Sequence, residues 1–419
     1  MKTHDLIFIN RPESKVNRKL LYNLKDVAAA PYGEFWRQMK SILVLKLLSN
    51  KKVQSFRVVR EEETTIMVNK IKDSCSCSMP VNLSHMFVAI ANDVVSRAVF
   101  GKKVTEGESG RRLKLLLREL LELLGSADVE DFLPRLSWIN WFNGRDAKVK
   151  RVAKGIDEFL EGMVQDRLEL FAGLEAEKCG VVKVNGENRE DFVDILLKIY
   201  NQKETVDRDT VKALILEIFS AGTDTTSTVM EWAMTELLRH PRIMNKLQKQ
   251  VREIAKGKPH ITEDNLEEMH YLKAVIKETL RLHPPTPLLV PREASQDVKI
   301  MGYDIQAGTM VIINAWTIGR DPGLWTDPEE FRPERFLNSS IDFKGQDFGL
   351  IPFGAGRRGC PGIAFAMALN EIVLANVVLK FDWELPGGAK GEDLDMRECI
   401  GLTIKRKVPL LAAATSCYS

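Results

Sequence analysis

Apolar side chains in this chain recur mostly at helical spacing, three and four residues apart, and only rarely alternate. Between residues 113 and 124, leucines are interrupted by Lys114, Arg118 and Glu122, and residues 157–171 repeat the arrangement. Both stretches read as surface helices that bury one stripe. From Val211 onward apolar residues fall at 211, 214, 215, 218 and 219, one face of a long helix predicted to end at His240, ahead of Pro241. Strand signals are short: residues 298–300, residues 303–305 after Gly302, and the alternation of Thr309, Val311 and Ile313. The pattern therefore predicts a mainly α protein with a small β-sheet region, and no internal repeat breaks it. Residues 321–333, rich in proline and acidic side chains, read as a meander without regular structure that something must hold down. Residues 175–189, polar with Gly180 and Gly186, read as an exposed connection within one domain.

Composition narrows the function by exclusion. A chain of 419 residues with 44% hydrophobic content has ample material for an extended core. Sixty basic residues against 58 acidic ones leave a net charge of +2, which argues against nucleic acid as a partner. Cys75, Cys77, Cys179, Cys360, Cys399 and Cys417 show no regular framework and read as reduced thiols in a cytosol-facing protein. Cys75-Ser76-Cys77 lacks a second Cys or His pair and reads as a polar loop. The start carries no signal peptide, and no window reads as the eighteen or so apolar residues of a membrane span.

One thiol stands apart. Cys360 lies in Phe353-Gly354-Ala355-Gly356-Arg357-Arg358-Gly359-Cys360-Pro361-Gly362, a glycine-rich turn that leads into an apolar helix. The glycines permit close approach of backbone to a flat group, and Pro361 suits a first helical turn. A Cys at such a helix N-terminus is favoured as thiolate, the form that binds metal. Upstream, Ala221-Gly222-Thr223-Asp224-Thr225-Thr226 interrupts the long apolar helix with a glycine, an acid and three hydroxyls. Threonine hydroxyls that capture the carbonyl four residues back predict a local widening or bend there. Alone, the hexapeptide is equally a polar helix face meeting solvent.

The Cys360 turn fits F-x-x-G-x-R-x-C-x-G at Phe353, Gly356, Arg358, Cys360 and Gly362, and so resembles the cytochrome P-450 superfamily. The resemblance implies the cytochrome P-450 fold, a single large haem-binding domain over residues 1–419, and Cys360 as axial ligand of haem b iron. It implies a proton relay at Asp224 and Thr225, with Thr225 carrying the larger part. Glu278 and Arg281, by themselves an ordinary i, i+3 pair, would join Arg335 of Phe331-Arg332-Pro333-Glu334-Arg335-Phe336 to brace the meander. Haem contacts would come from Phe353, Gly354, Arg358, Arg292, Trp36 and Lys40, the last standing where the family's Trp-x-x-x-Arg motif has Arg. Substrate contacts by position are Phe219, Ala221, Gly222, Thr286, Leu288, Leu289, Leu402 and Thr403, and the loop from Ile9 to Val27. Their apolar character implies a small hydrophobic substrate.

Residues 32–40, 333–336 and 352–358 resemble the plant A-type clan, whose members oxidise specialised metabolites. The implied partner is an NADPH-cytochrome P-450 reductase at the cytosolic face of the endoplasmic reticulum membrane, with Arg37, Lys46 and Arg357 as candidate docking cations or simply solvated ones. No dinucleotide motif here binds NADPH directly. The aromatic stretch of residues 136–144, including Trp138 and Phe142, either touches the bilayer or caps the core. Residues 2–6 resemble the family's second helix, so the chain is expected to start late relative to the family, without its usual anchor. The alternatives to a monooxygenase are a reductase-independent dehydratase or isomerase of the same fold, and a non-catalytic truncated fragment.

Overall fold

The computed structural model describes residues 1–76, 79–104, 106–126, 131, 135, 144–176, 190–202, 206–399 and 401–417. The aromatic stretch around Trp138 and Phe142, most of the 175–189 connection, Cys77 and Cys179 lie outside them. The described helices are α1 (Lys15–Leu20), α2 (Glu34–Ile42), α3 (Asn50–Ser55), α4 (Arg57–Ser76), α5 (Leu83–Phe100), α6 (Gly107–Gly125), α7 (Arg145–Ala176), α8 (Phe192–Gln202), α9 (Arg208–Arg239), α10 (Pro241–Ala255), α11 (His270–Leu282), α12 (Ala315–Ile318) and α13 (Ile363–Lys380). Short strands join them: β1 (Val81–Asn82), β2 (Arg292–Glu293), β3 (Val298–Ile300), β4 (Tyr303–Ile305), β5 (Met310–Val311), β6 (Phe381–Glu384) and β7 (Leu411–Ser416).

Helix α9 is the axis. Asp207 caps it by accepting the Thr210 amide at 2.9 Å, and the chain leaves it at His240, before Pro241, as the apolar pattern predicts. Its faces are taken up by α5, α8, α11 and α13, so most of its second half is buried. Gly222 permits this closeness, since a Cβ there would lie 3.3 Å from Val95 on α5. The helix is continuous through Ala221–Thr226, where a widening or bend is expected. The hydroxyls do back-bond, Thr225 Oγ1 donating to the Ala221 carbonyl at 2.7 Å and Thr228 Oγ1 to that of Asp224 at 2.8 Å, without interrupting the α-helical ladder.

Among the described residues two helices, α5 and α13, are long and apolar enough to cross a membrane, contrary to the reading of the bare sequence. Both are core helices, 61% and 67% buried within the protein, and α13 is apolar over most of its circumference, in keeping with its contacts to α4, α9, α10 and α11. The strands form an antiparallel β1-β7-β6 sheet and the antiparallel pairs β2-β5 and β3-β4. The Met301-Gly302 turn, with both φ positive, closes β3 onto β4. Residues 3–8 form consecutive turns, closed by the Ile7 and Phe8 amides on the His4 carbonyl, in place of the expected helix. Their main use is to set Asp5 and Ile9 beneath the Cys360 turn.

Candidate functional site

The Cys360 turn is shaped from within and capped from outside. The Cys360 amide donates to the Phe353 carbonyl at 3.0 Å, and the Gly359 amide to that of Gly356 at 3.0 Å. Gly354 and Gly356 both adopt φ of +70°, and a Cβ at Gly356 would collide with the carboxylate of Asp5. That carboxylate is a central clamp. It accepts from the Arg357 amide at 3.2 Å, from Arg357 Nη1 at 3.0 Å and from Arg292 Nη1 at 3.2 Å. Arg357, a candidate docking cation, thus spends its charge on Asp5, although its side chain is still half exposed.

Cys360 Sγ accepts the Gly362 amide at 3.3 Å and opens onto an internal cavity of ≈ 280 Å³. The side chain has exposed surface because it faces this cavity, even though protein encloses the turn. Burial pushes the thiol's pKa up, opposed by the Gly362 amide and the Lys40 charge. The helix dipole expected to favour thiolate therefore does not win alone, and α13 starts at Ile363, two residues later than Pro361. A metal at the sulfur is what would complete the balance.

The cavity wall gathers many of the residues singled out in the sequence: Phe353, Gly354 and Arg358 beside the thiol, Trp36 and Lys40 from α2, and Arg292 from β2. Ala221, Gly222 and Thr225 of α9 and Thr286 and Leu289 of the loop after α11 also reach it. Five others do not. Phe219 packs on Phe100 with ring centroids 5.9 Å apart, on the α5 side of α9. Leu288 points outward and is 48% exposed. Leu402 lies against Gly125 at the end of α6, where a Cβ would strike its backbone, and Thr403 is buried beside it without entering the wall. Asp224 turns away from the cavity and forms an ion pair with Lys405. Counting residues along a helix or turn identified the neighbourhood in these cases; the packing of α5, α6 and the 401–407 turn decided the direction.

Four cations crowd one edge of the cavity. Arg358 donates to the carbonyls of Ile9 (2.8 Å), Val27 (3.0 Å) and Ala30 (2.7 Å) and lies over the Trp36 ring. Trp36 Nε1 donates to the Val27 carbonyl at 3.0 Å. Arg292 donates to the Ala355 carbonyl at 2.7 Å, and Lys40 Nζ to that of Gly359 at 2.8 Å. The fourth, Arg11, was missed by the sequence reading. It donates to Ala28 (2.8 Å), Val290 (2.8 Å) and Pro291 (2.7 Å). Its only sequence signal is an Arg ahead of Pro12 in a loop that otherwise lines an apolar space.

These charges repel one another. Burial first, then the Arg358 and Arg292 charges, bring the Arg11 pKa down to about 9, and burial with the Arg292 charge brings that of Arg358 down to about 10. Two carboxyls also overlooked in the sequence sit among them. Burial raises Glu217 to about 8 and Asp26 to about 6, each helped or opposed by its charged neighbours. Glu217 accepts the Val27 amide at 2.8 Å and fastens the 26–28 loop to α9; the signal for it was a lone acid inside Leu214-Ile215-Leu216-Glu217-Ile218-Phe219. Asp26 Oδ1 is buried with no partner. A thiol, a glycine-lined apolar wall and an excess of donors at one edge fit a flat iron porphyrin with two carboxylates.

The meander is braced separately. Arg281 donates to both oxygens of Glu278 at 2.7 Å, and Arg335 Nε reaches Oε1 at 2.9 Å. The Arg332 amide also donates to Glu278 Oε1 at 2.8 Å. The other donors of the two guanidiniums run to backbone carbonyls in and just ahead of the meander: Arg281 to Gly319, Pro328 and Glu330, Arg335 to Thr326, Asp327 and Glu330. Glu278 and Arg281 are completely buried.

Comparison with known proteins agrees with this geometry. A family profile described as Cytochrome P450 matches residues 1–411. The chain is 56% identical to Cytochrome P450 736A117 of Prunus mume over 99% of its own length and 79% of the relative's. It is 49% identical to a norfluorocurarine oxidase of Strychnos sp, covering 98% of this chain and 80% of that one, and 48% identical to a 3-beta-hydroxylase of Tanacetum parthenium, covering 99% and 81%. Among solved structures a zebra fish cytochrome P450 with abiraterone superposes with a TM-score of 0.77 at 24% identity, over 98% of this chain and 89% of that one, which concerns the fold alone. With its thiol turn, cationic edge and braced meander in one fold, this chain belongs to the cytochrome P450 family, among plant members of the 71 clan.

Proposed function

We propose that the protein is a haem-thiolate monooxygenase that inserts one atom of dioxygen into a small lipophilic substrate, with electrons from NADPH delivered by a separate reductase. Relatives named as an oxidase and a hydroxylase support the reaction class. The observation that carries the reading is that Cys360 Sγ and Thr225 share the wall of one mostly apolar cavity with a cationic edge.

Haem, when bound, supplies the iron that activates dioxygen. Cys360 is its protein ligand, and Arg11, Lys40, Arg292 and Arg358 are placed to receive its carboxylates in exchange for backbone carbonyls they now hold. Ala221, Gly222 and Leu289 make the apolar lining that excludes water and receives hydrocarbon. Thr225 Oγ1 donates its one hydrogen to the Ala221 carbonyl and keeps its lone pairs to accept from water in the cavity; turning that hydrogen from the carbonyl to the water lets it pass protons without opening the wall to bulk solvent. Glu278, Arg281 and Arg335 hold the fold around the turn and take no part in the chemistry. In the cell the reading places the protein at the endoplasmic reticulum membrane, facing the cytosol.

The test is the spectrum of the reduced protein with carbon monoxide, followed by turnover of a panel of terpenoids, phenylpropanoids, coumarins and oximes. A thiolate-type Soret band with product that requires NADPH and reductase is expected. Turnover without NADPH shows a dehydratase or isomerase instead, and failure to bind haem overturns the proposal.

A further inference from the structure

Asp224 is the acid of the 221–226 segment, yet its carboxylate lies outside the cavity wall and is paired with the ammonium of Lys405. The next residue, Thr225, is in the wall. Successive residues of an α-helix point about 100° apart, so Asp224 sits on the shoulder between the cavity and the 401–407 turn. Lys405 is held there by its own backbone. The Cys399 amide donates to the Lys405 carbonyl at 2.8 Å, and the neighbouring Ile404 is tied to Pro285 through its amide at 2.9 Å. Trp232 of α9, two turns beyond Asp224, donates to the Ile404 carbonyl at 3.0 Å. The turn is thus fastened to the helix that carries the acid. The Lys405 side chain is 36% exposed and that of Asp224 only 13%, so Asp224 meets solvent beside Lys405.

We propose that Lys405 is a positioning residue that holds the Asp224 carboxylate on the solvent side of α9, so that protons enter the cavity beside the 401–407 turn. In each cycle a hydronium proton bonds to Asp224 and leaves water. Asp224 then gives that proton to the hydroxyl and water chain at Thr225, which passes one proton onward, and the carboxylate returns to Lys405. Lys405 remains an ammonium throughout and exchanges no proton. Without it the carboxylate is free to hydrate or to turn toward the cavity, and the entry point is no longer fixed.

This rests on the reading that Asp224 and Thr225 deliver protons, and the experiment separates the two. Lys405→Met, Lys405→Arg, Asp224→Asn and Thr225→Ala are compared as haem-loaded proteins with reductase. In Lys405→Met, kcat falls about tenfold with KM within about twofold, the share of NADPH electrons lost as hydrogen peroxide rises, and the solvent deuterium isotope effect grows. Lys405→Arg restores all three. Independently of turnover, the melting temperatures of Lys405→Met, Asp224→Asn and their double variant are non-additive, as expected for a pair in contact. If Asp224→Asn and Thr225→Ala change partition and isotope effect while Lys405→Met does not, the role of Lys405 is overturned and the relay stands. If none of the variants changes them, the relay reading itself is overturned.

Discussion

Two buried clusters of cations organise this protein, and they differ in how completely they are satisfied. Around Glu278, one carboxylate accepts from Arg281, Arg335 and the Arg332 amide, and the remaining donors reach carbonyls in and just ahead of the meander. Burial lowers the Arg335 pKa, but Glu278 pulls it back. Around the cavity, Arg11, Lys40, Arg292 and Arg358 lean mostly on backbone carbonyls, the two guanidiniums Arg11 and Arg358 are lowered further by neighbouring guanidiniums, and Asp26 keeps an unpartnered oxygen. A closed network holds the fold; a surplus of charge facing a cavity is arranged for an anion that comes from outside.

The largest expected effect tests the closed cluster. Glu278→Ala leaves two buried guanidiniums without their carboxylate, a loss on the order of 3 to 5 kcal/mol. The expected outcome is little soluble protein, a melting temperature well below wild type, and no haem incorporation. A Glu278→Ala protein that melts near wild type and takes up haem normally would remove the distinction between the clusters.

Next comes the open cluster. Arg358→Ala or Arg11→Gln removes charge-assisted donors, each worth about 1.5 to 3 kcal/mol to an anionic ligand, so haem dissociation should rise roughly tenfold to a hundredfold. The haem-free protein should lose much less, because removing one cation also relieves repulsion among its neighbours. Haem titration and calorimetric melting of the same samples check both halves. If both variants unfold as readily as Glu278→Ala, the cations serve the fold and not a ligand.

How legible each cluster was in the sequence follows from the same contrast. Glu278 and Arg281 are three residues, close to one helical turn, apart and Arg335 lies in a recognisable Pro-Glu-Arg-Phe run, so local spacing and the family pattern sufficed. The long helix ending at His240 and the hairpin of residues 298–305 were likewise readable, because both are set by contacts within the segment. Arg11, Asp5, Asp26 and Glu217 were not, since their roles arise only when residues 5–30 fold back on the 353–362 turn and α9. Leu288, Leu402 and Phe219 failed for a related reason: chain position names a neighbourhood, but side-chain direction depends on what else packs there.

On the distal side of the cavity the expected effect is smaller and purely functional. Thr225→Ala removes one hydroxyl whose bond to Ala221 is local, so haem content and melting temperature should stay near wild type. Product formation should fall, by about tenfold to a hundredfold, with more electrons released as peroxide. Simultaneous measurement of NADPH consumed, peroxide released and product formed checks this. A fully coupled Thr225→Ala enzyme would move the proton path elsewhere.

The smallest effect concerns the two carboxyls inside the open cluster and is read through pH. Burial raises Asp26 to about 6, and burial together with the Asp26 charge raises Glu217 to about 8, both well above the ordinary carboxylate range. Between the unfolded and folded pKa values the native state holds more protons than the unfolded chain, so stability falls as pH rises through that window. For one fully titrating group the slope approaches about 1.4 kcal/mol per pH unit. Glu217→Gln removes the higher of the two titrations while its side-chain oxygen can still accept the Val27 amide. Urea midpoints of haem-free protein at pH 5.5, 7 and 8.5, values chosen to span about the raised range, should therefore converge in Glu217→Gln relative to wild type. Equal pH dependence in the two proteins would mean that the cations hold Glu217 ionised, and that the open cluster is closer to neutral balance than its geometry suggests.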